Sequence, residues 1–182
     1  MRRPLITATL ITAFAAAAVA VTAQQGRQTG VGGGGSPHWR ADVTVHGAAI
    51  TIEYGRPFLK GRPESQLMPP GTPWRTGADQ ATIITSDKPL TFGAIKLSPG
   101  TYTINTEPGD KAWQLILGKL EKPGQWGVPY RPDLEIGRAP MTVGKTKAPV
   151  EQVTISIDQT PAGGTLRVEW GTASASIAFT IG

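Results

Sequence analysis

Leu166-Arg167-Val168-Glu169-Trp170-Gly171-Thr172-Ala173-Ser174-Ala175-Ser176-Ile177-Ala178-Phe179-Thr180-Ile181 decides the fold. Apolar residues fall on every second position in both halves, at Leu166, Val168 and Trp170 and again at Ala175, Ile177, Phe179 and Ile181. A period of two places alternate side chains on opposite faces of a strand, one against a core and one toward water. Gly171 and Thr172 interrupt the alternation, so the spacing predicts two strands paired as a tight hairpin, with Trp170 and Phe179 facing inward. Both aromatics are read as core, because burying such a side chain stabilises by about 1.5–3 kcal/mol.

The same period recurs at Ile50, Ile52 and Tyr54, at Trp113, Leu115 and Leu117, and at Val153, Ile155 and Ile157. Shorter strands are expected over 81–85, 90–92, 101–105 and 141–145. Ser86-Asp87-Lys88-Pro89, Ser98-Pro99-Gly100, Pro108-Gly109-Asp110 and Pro161-Ala162-Gly163-Gly164 supply the turns between them. No long segment carries the helical period. The expected class is all-β, an antiparallel two-sheet β-sandwich, with jelly-roll-like and immunoglobulin-like topologies left open.

Residues 1–23 have the form of a secretory signal: a basic start at Arg2 and Arg3, an apolar run from Leu5 to Val21, and small residues at Val21 and Ala23 ahead of a cleavage point. Residues 24–40 are expected to form a flexible Gly-rich tether, since Gly32-Gly33-Gly34-Gly35 cannot bury apolar surface. Residues 41–182 are expected to form the β-sandwich domain. Without cysteine the chain has no disulfide, and its stability rests on the core. The formal charge is +5, and loss of Arg2 and Arg3 with the signal leaves +3. The remaining bases are scattered, which argues against nucleic acid as a partner. A cleaved signal also leaves no stable membrane insertion, so the expected location is periplasmic or secreted, with the protein partner open.

The segment from Glu53 to Asp79 concentrates the chemistry. Arg56, Arg62 and Arg75 each carry a planar fork that can grip a carboxylate or phosphate bidentately, with Lys60 beside them and Glu53 and Asp79 as the nearest acids. Two readings follow. Arg56 and Arg75 bolt Glu53 and Asp79 together beneath Trp74, or the surplus positive charge, with Trp74 or Tyr54, receives an anionic or sugar-like ligand. Trp126 and Tyr130 lie on a second Gly- and Pro-rich loop, as caps of the fold or as the wall of a groove against the first.

No nucleophile elbow or zinc-binding helix motif occurs, and neither His38 nor His46 has ligand-like spacing to a partner. No catalytic residue, metal or cofactor is therefore assigned. A glycoside hydrolase using Glu53 and Asp79 is the enzymatic alternative, although neighbouring arginines would lower both carboxylate pKa values and oppose an acid role. A structural domain that recruits a partner along a strand edge is the third.

Tyr54-Gly55-Arg56-Pro57, Lys60-Gly61-Arg62, Pro73-Trp74-Arg75-Thr76-Gly77-Ala78-Asp79 and Leu97-Ser98-Pro99-Gly100-Thr101-Tyr102, in that order, resemble the bacterial family known as domain of unknown function 2911. The likeness runs from about Ala41 to Ile181. It departs at Gly55, where members often have serine, and at Ser65 and Gln66, where they have a bulky apolar pair. It implies an exported, β-rich domain without an assigned activity. The functional reading is a non-catalytic binding or accessory module of the bacterial envelope.

Overall fold

The structure, a computed structural model, describes residues 24–182. The expected signal segment lies outside the described residues. Ten strands follow one another: β1 (Gln25–Val31), β2 (Pro37–Val45), β3 (Ala48–Gly55), β4 (Thr82–Ser86), β5 (Leu90–Phe92), β6 (Ile95–Leu97), β7 (Gly100–Glu107), β8 (Ala112–Lys119), β9 (Glu135–Thr160) and β10 (Gly163–Ile181). A single helical turn, α1 (Glu64–Leu67), interrupts the loop after β3. All pairings are antiparallel, as expected, and hydrogen bonding links the strands into one open sheet in the order β1-β2-β3-β4-β7-β8-β9-β10-β5-β6.

Local chemistry sets the hairpins. Between β2 and β3 the two turn residues, His46 and Gly47, both have positive φ, at 46° and 75°, the twist that a two-residue hairpin favours. The imidazole of His46 is tied to the carbonyl of Thr160 at 2.7 Å. The inward-facing set is the one that the period of two picks out. Ile50, Ile52, Tyr54, Trp113, Leu115, Leu117, Val153, Ile155, Ile157, Leu166, Val168, Trp170, Ala175, Ile177 and Phe179 are all buried, and they belong to a single cluster. Residues of β3 and of β9 and β10 share that cluster, so the sheet curls until its two halves enclose one core.

Two expectations are corrected. Leu166–Trp170 and the run from Ala173 are not a hairpin but one strand, β10, which bends at Gly171. Its φ of +61° and the register shifts on either side mark a bulge. The 26-residue β9 is long enough to pair with both halves. The Glu64 carboxylate holds the bulge by accepting hydrogen bonds from the Thr172 amide at 2.6 Å and its hydroxyl at 3.1 Å. An interrupted period of two has the same appearance in sequence whether the strand turns back or only bends.

The second correction concerns the tether. Residues 25–31 form β1, paired along β2 from Gln25–Asp42 to Val31–Pro37. Glycine there makes room rather than slack. A Cβ at Gly26 would lie 2.4 Å from Trp39 Nε1, and one at Gly32 would lie 1.7 Å from Asp79 Oδ2.

Closing the curl leaves main-chain groups along the second half of β9 that β10 does not satisfy, and the N-terminal half of the domain satisfies them one by one. Leu59 N–H donates to the Glu151 carbonyl at 2.8 Å, and Val153 N–H donates to the Pro57 carbonyl at 3.2 Å. Arg56 Nε donates to the Val153 carbonyl at 2.9 Å, and Ile155 N–H donates to the Tyr54 phenol oxygen at 3.1 Å. The Gln24 side-chain amide completes the row, donating to the Ile155 carbonyl at 3.0 Å and accepting from Ile157 N–H at 2.7 Å. Burial raises the Tyr54 pKa, while the bond from Ile155 lowers it; the phenol stays neutral. Tyr54→Phe is expected to leave the Ile155 N–H unsatisfied and to cost about 1–3 kcal/mol, read as a lower urea midpoint at unchanged m-value.

Candidate functional site

The loop between β3 and β4 is pinned at its centre by Trp74, whose main chain exchanges hydrogen bonds with Thr106 of β7 at 2.7 and 2.9 Å. Its indole stacks on Trp170 at 5.6 Å, with the planes within 10°. Trp74 thus extends the core. Beyond it, Thr76 and Asp79 take positive φ, at 56° and 63°, so the chain turns twice within four residues. Gly55 and Gly77 allow the approach: a Cβ at Gly55 would sit 2.3 Å from the Ala78 carbonyl, and one at Gly77 would sit 2.8 Å from the Gly55 carbonyl.

Each of the three arginines is taken up by main-chain carbonyls of a different segment. Arg56 serves Val153, bonds the Thr154 hydroxyl at 3.0 Å and stacks over Trp39 at 4.6 Å. Arg62 is exposed and closes its own turn by donating to the Phe58 and Leu59 carbonyls at 2.7 and 2.9 Å. Arg75 donates to the Gly77 carbonyl at 3.2 Å, and burial lowers its pKa while the Asp79 charge raises it. Lys60 is exposed, its ammonium 6.0 Å from the Phe58 ring. The acids have other partners. Glu53 lies 3.6 Å from Arg40, and Asp79, only 7% exposed, meets His38 Nε2 at 3.3 Å behind Gly32. Neither the Arg56/Arg75 bolt across Glu53 and Asp79 nor a shared guanidinium pocket describes these contacts. A guanidinium near unsatisfied carbonyls finds several acceptors without requiring a carboxylate.

The two loops do meet. Ala81 N–H donates to the Gln125 carbonyl at 2.9 Å, Gly127 N–H donates to the Asp79 carbonyl at 3.0 Å, and Arg75 lies 5.7 Å from the centre of the Trp126 ring. Tyr130 faces a different set: its hydroxyl donates to Glu135, which Arg138 holds at 2.9 Å while reaching Glu107 at 2.7 Å. Arg138 is the main cause of the lowered Glu135 pKa; burial and the Glu135 carboxylate raise that of Tyr130.

Docking of the loops creates a cleft of about 370 Å³ on the outer face of β3, β4 and β7. Its floor is Glu53, Ile83, Thr85 and Thr101; Thr29, His38 and Trp39 form one wall, and Gln80, Ala81 and the 123–125 segment form the other. Glu53, with a side chain 41% exposed, is the carboxylate among these lining residues. Tyr54 reaches the cleft only at its margin, its side chain being buried. Of the residues expected to form the site, the structure brings Glu53 to the cleft and ties Arg56, Arg62 and Arg75 to main-chain carbonyls. Thr29, His38, Gln80 and Gln125 went unrecognised because single polar residues on unrelated segments carry no spacing signal. His38 alone had a cue, since it precedes Trp39 at the start of an alternating run.

The fold is a β-rich domain with an open cleft on its outer face. The chain belongs to the family described as protein of unknown function DUF2911, whose model matches residues 36–179. Neither a curated protein nor a solved structure matches it significantly.

The close fit of the glycine tract to Asp79 separates scaffold from tether. Gly32→Ala is expected to cost about 1–3 kcal/mol by overpacking, whereas Gly33→Ala, with nothing within 4 Å of its Cβ, should change stability by less than about 0.5 kcal/mol. Equal urea midpoints for the two variants would return the segment to the status of a tether. The Glu135–Arg138 pair sets a pH signature. Because the Glu135 pKa is lowered on folding, its contribution is present above the ordinary value of 4.5 and is lost as pH falls through the folded value. Arg138→Ala should therefore destabilise at neutral pH by about 1 kcal/mol or less, with the difference from wild type shrinking below pH 4.5.

Proposed function

We propose that the chain is an exported, non-catalytic binding module of the bacterial envelope, and that the cleft beside Glu53 takes a neutral, sugar-like ligand. The observation that carries this reading is the set of side chains around the cleft: one carboxylate, the imidazole of His38, the hydroxyls of Thr29, Thr85 and Thr101, the amides of Gln80 and Gln125, and the apolar surfaces of Trp39, Ile83, Leu120 and Pro123. Hydroxyls and amides both donate and accept, which suits a ligand whose own hydroxyls do the same, and a carboxylate accepts strongly from a sugar hydroxyl. The volume falls within the range of about 300–1,000 Å³ typical of small-molecule sites.

Charge separates the two halves of the earlier expectation. An anionic ligand needs the guanidinium groups, and Arg56, Arg62 and Arg75 are bonded to carbonyls, while Glu53 would repel it. A neutral polyol meets no such opposition. A non-catalytic role is favoured because Glu53 has no second carboxylate among the residues lining its cleft, whereas glycoside hydrolysis needs a facing pair. Export rests on the basic, apolar and small-residue order of residues 1–23. Among the described residues no helix is long and apolar enough to cross a membrane.

Calorimetric titration of the domain from Gln24 onward with neutral and with carboxylated monosaccharides tests the reading. Neutral sugars should bind, and Glu53→Ala should weaken them at least tenfold, about 1.4 kcal/mol, with little change in melting temperature because the pair with Arg40 is only half-buried and its ions lie 3.6 Å apart. Preference for the carboxylated sugars, or an unchanged affinity in Glu53→Ala, would overturn it.

A further inference from the structure

We propose that the ligand of this cleft is a sugar chain rather than a single unit, and that Trp126 is its second point of contact. This inference rests on the reading of the Glu53 cleft as a sugar site and extends it along the surface. Trp126 is 57% exposed, whereas the other tryptophans of the described chain pack into or against the core. An indole that open offers a broad apolar face on which a ligand can stack.

Three features make the ring a built platform. The main chain on either side of it is fastened to the loop before β4, through the Gln125 carbonyl to Ala81 and through the Gly127 amide to Asp79. The Arg75 guanidinium, bonded to the Gly77 carbonyl, stands over the ring at 5.7 Å from its centre. Gly127 has to be glycine for this packing, since a Cβ there would come within 2.6 Å of Arg75 Cδ. The main chain that carries the indole is therefore held in place, which limits the ordering cost of binding.

Continuity supplies the rest. The recess beside Trp126 holds only about 30 Å³, little more than a water, so the residue offers a surface and not a pocket. That recess and the Glu53 cleft share Ala81 and Gln125 as walls, so a ligand leaving the cleft over Gln125 arrives at the indole. A pyranose presents an apolar face of C–H groups and a rim of hydroxyls, which matches an open indole bordered by the amide of Gln125. A single sugar unit fills the cleft, and only a chain reaches on to the platform as well.

Calorimetry with N-acetylglucosamine and its soluble trimer and hexamer, on the domain from Gln24 onward, tests this. The hexamer should bind at least tenfold tighter than the single sugar. Trp126→Ala should remove that gain while leaving single-sugar affinity unchanged, Trp126→Phe should restore part of it, and Glu53→Ala should weaken both ligands. A hexamer no tighter than the monomer, or a gain that survives in Trp126→Ala, would overturn the chain proposal and leave the cleft reading standing. Absence of binding by every member of the series to the wild-type domain would overturn both. Circular dichroism of Trp126→Ala checks folding, which is expected to be intact because the loop is anchored through its main chain.

Discussion

The second half of β9 is the constraint on which the rest of the structure depends. A strand of a curled, open sheet has one side paired and one side that must find partners elsewhere, and a buried N–H or carbonyl without a partner costs as much as several good contacts return. Here no strand comes alongside. The row from Glu151 to Ile157 is met instead by a short stretch of main chain at residues 57–59 and by the side chains of Arg56, Tyr54 and Gln24. That arrangement holds the two halves of the sheet around a common core, and it also fixes where β3 ends and where the loop toward β4 begins.

The site follows from this closure. With Tyr54 turned inward to reach Ile155, its neighbour Glu53 must point outward, because successive residues of a strand face opposite ways. Arg56 is drawn to Val153 for the same reason. What then surrounds Glu53 is decided by two additions to the outer face. The β1–β2 hairpin supplies Thr29 and His38, and the loop around Gln125 supplies the opposite wall. The hairpin is seated by the fit of Gly26 over Trp39 and of Gly32 against Asp79. β1 lies ahead of the residues matched to the family, so Thr29 comes to the cleft from outside the matched region, whereas His38 and Trp39 of the same wall lie within it.

Arginine explains why a loop so rich in charge reads misleadingly. Its five N–H donors are satisfied equally well by carboxylates, phosphates or carbonyls, and a loop that turns twice in a few residues exposes many carbonyls. Arg62 closes the turn at Phe58 and Leu59, and Arg75 braces the one at Gly77. A cluster of bases in a sequence therefore indicates strain to be capped as readily as an anion to be held. The exposed indole of Trp126, met by Arg75 on one face, is the feature that core packing does not explain.

Residue order alone determined the periodic part of this protein. Alternation at Ile50–Tyr54, Trp113–Leu117, Val153–Ile157 and along β10 named the buried face correctly, and Gly and Pro marked most of the turns, because both signals are local properties of the chain. Only the tertiary structure decided that Gly171 bends a strand instead of reversing it, that the glycines at 26 and 32 make room for Trp39 and Asp79, and that Glu53 rather than the arginines faces the cleft. These depend on which distant atoms lie within a few ångströms, and such proximity is set by how the sheet curls, a property of all ten strands together.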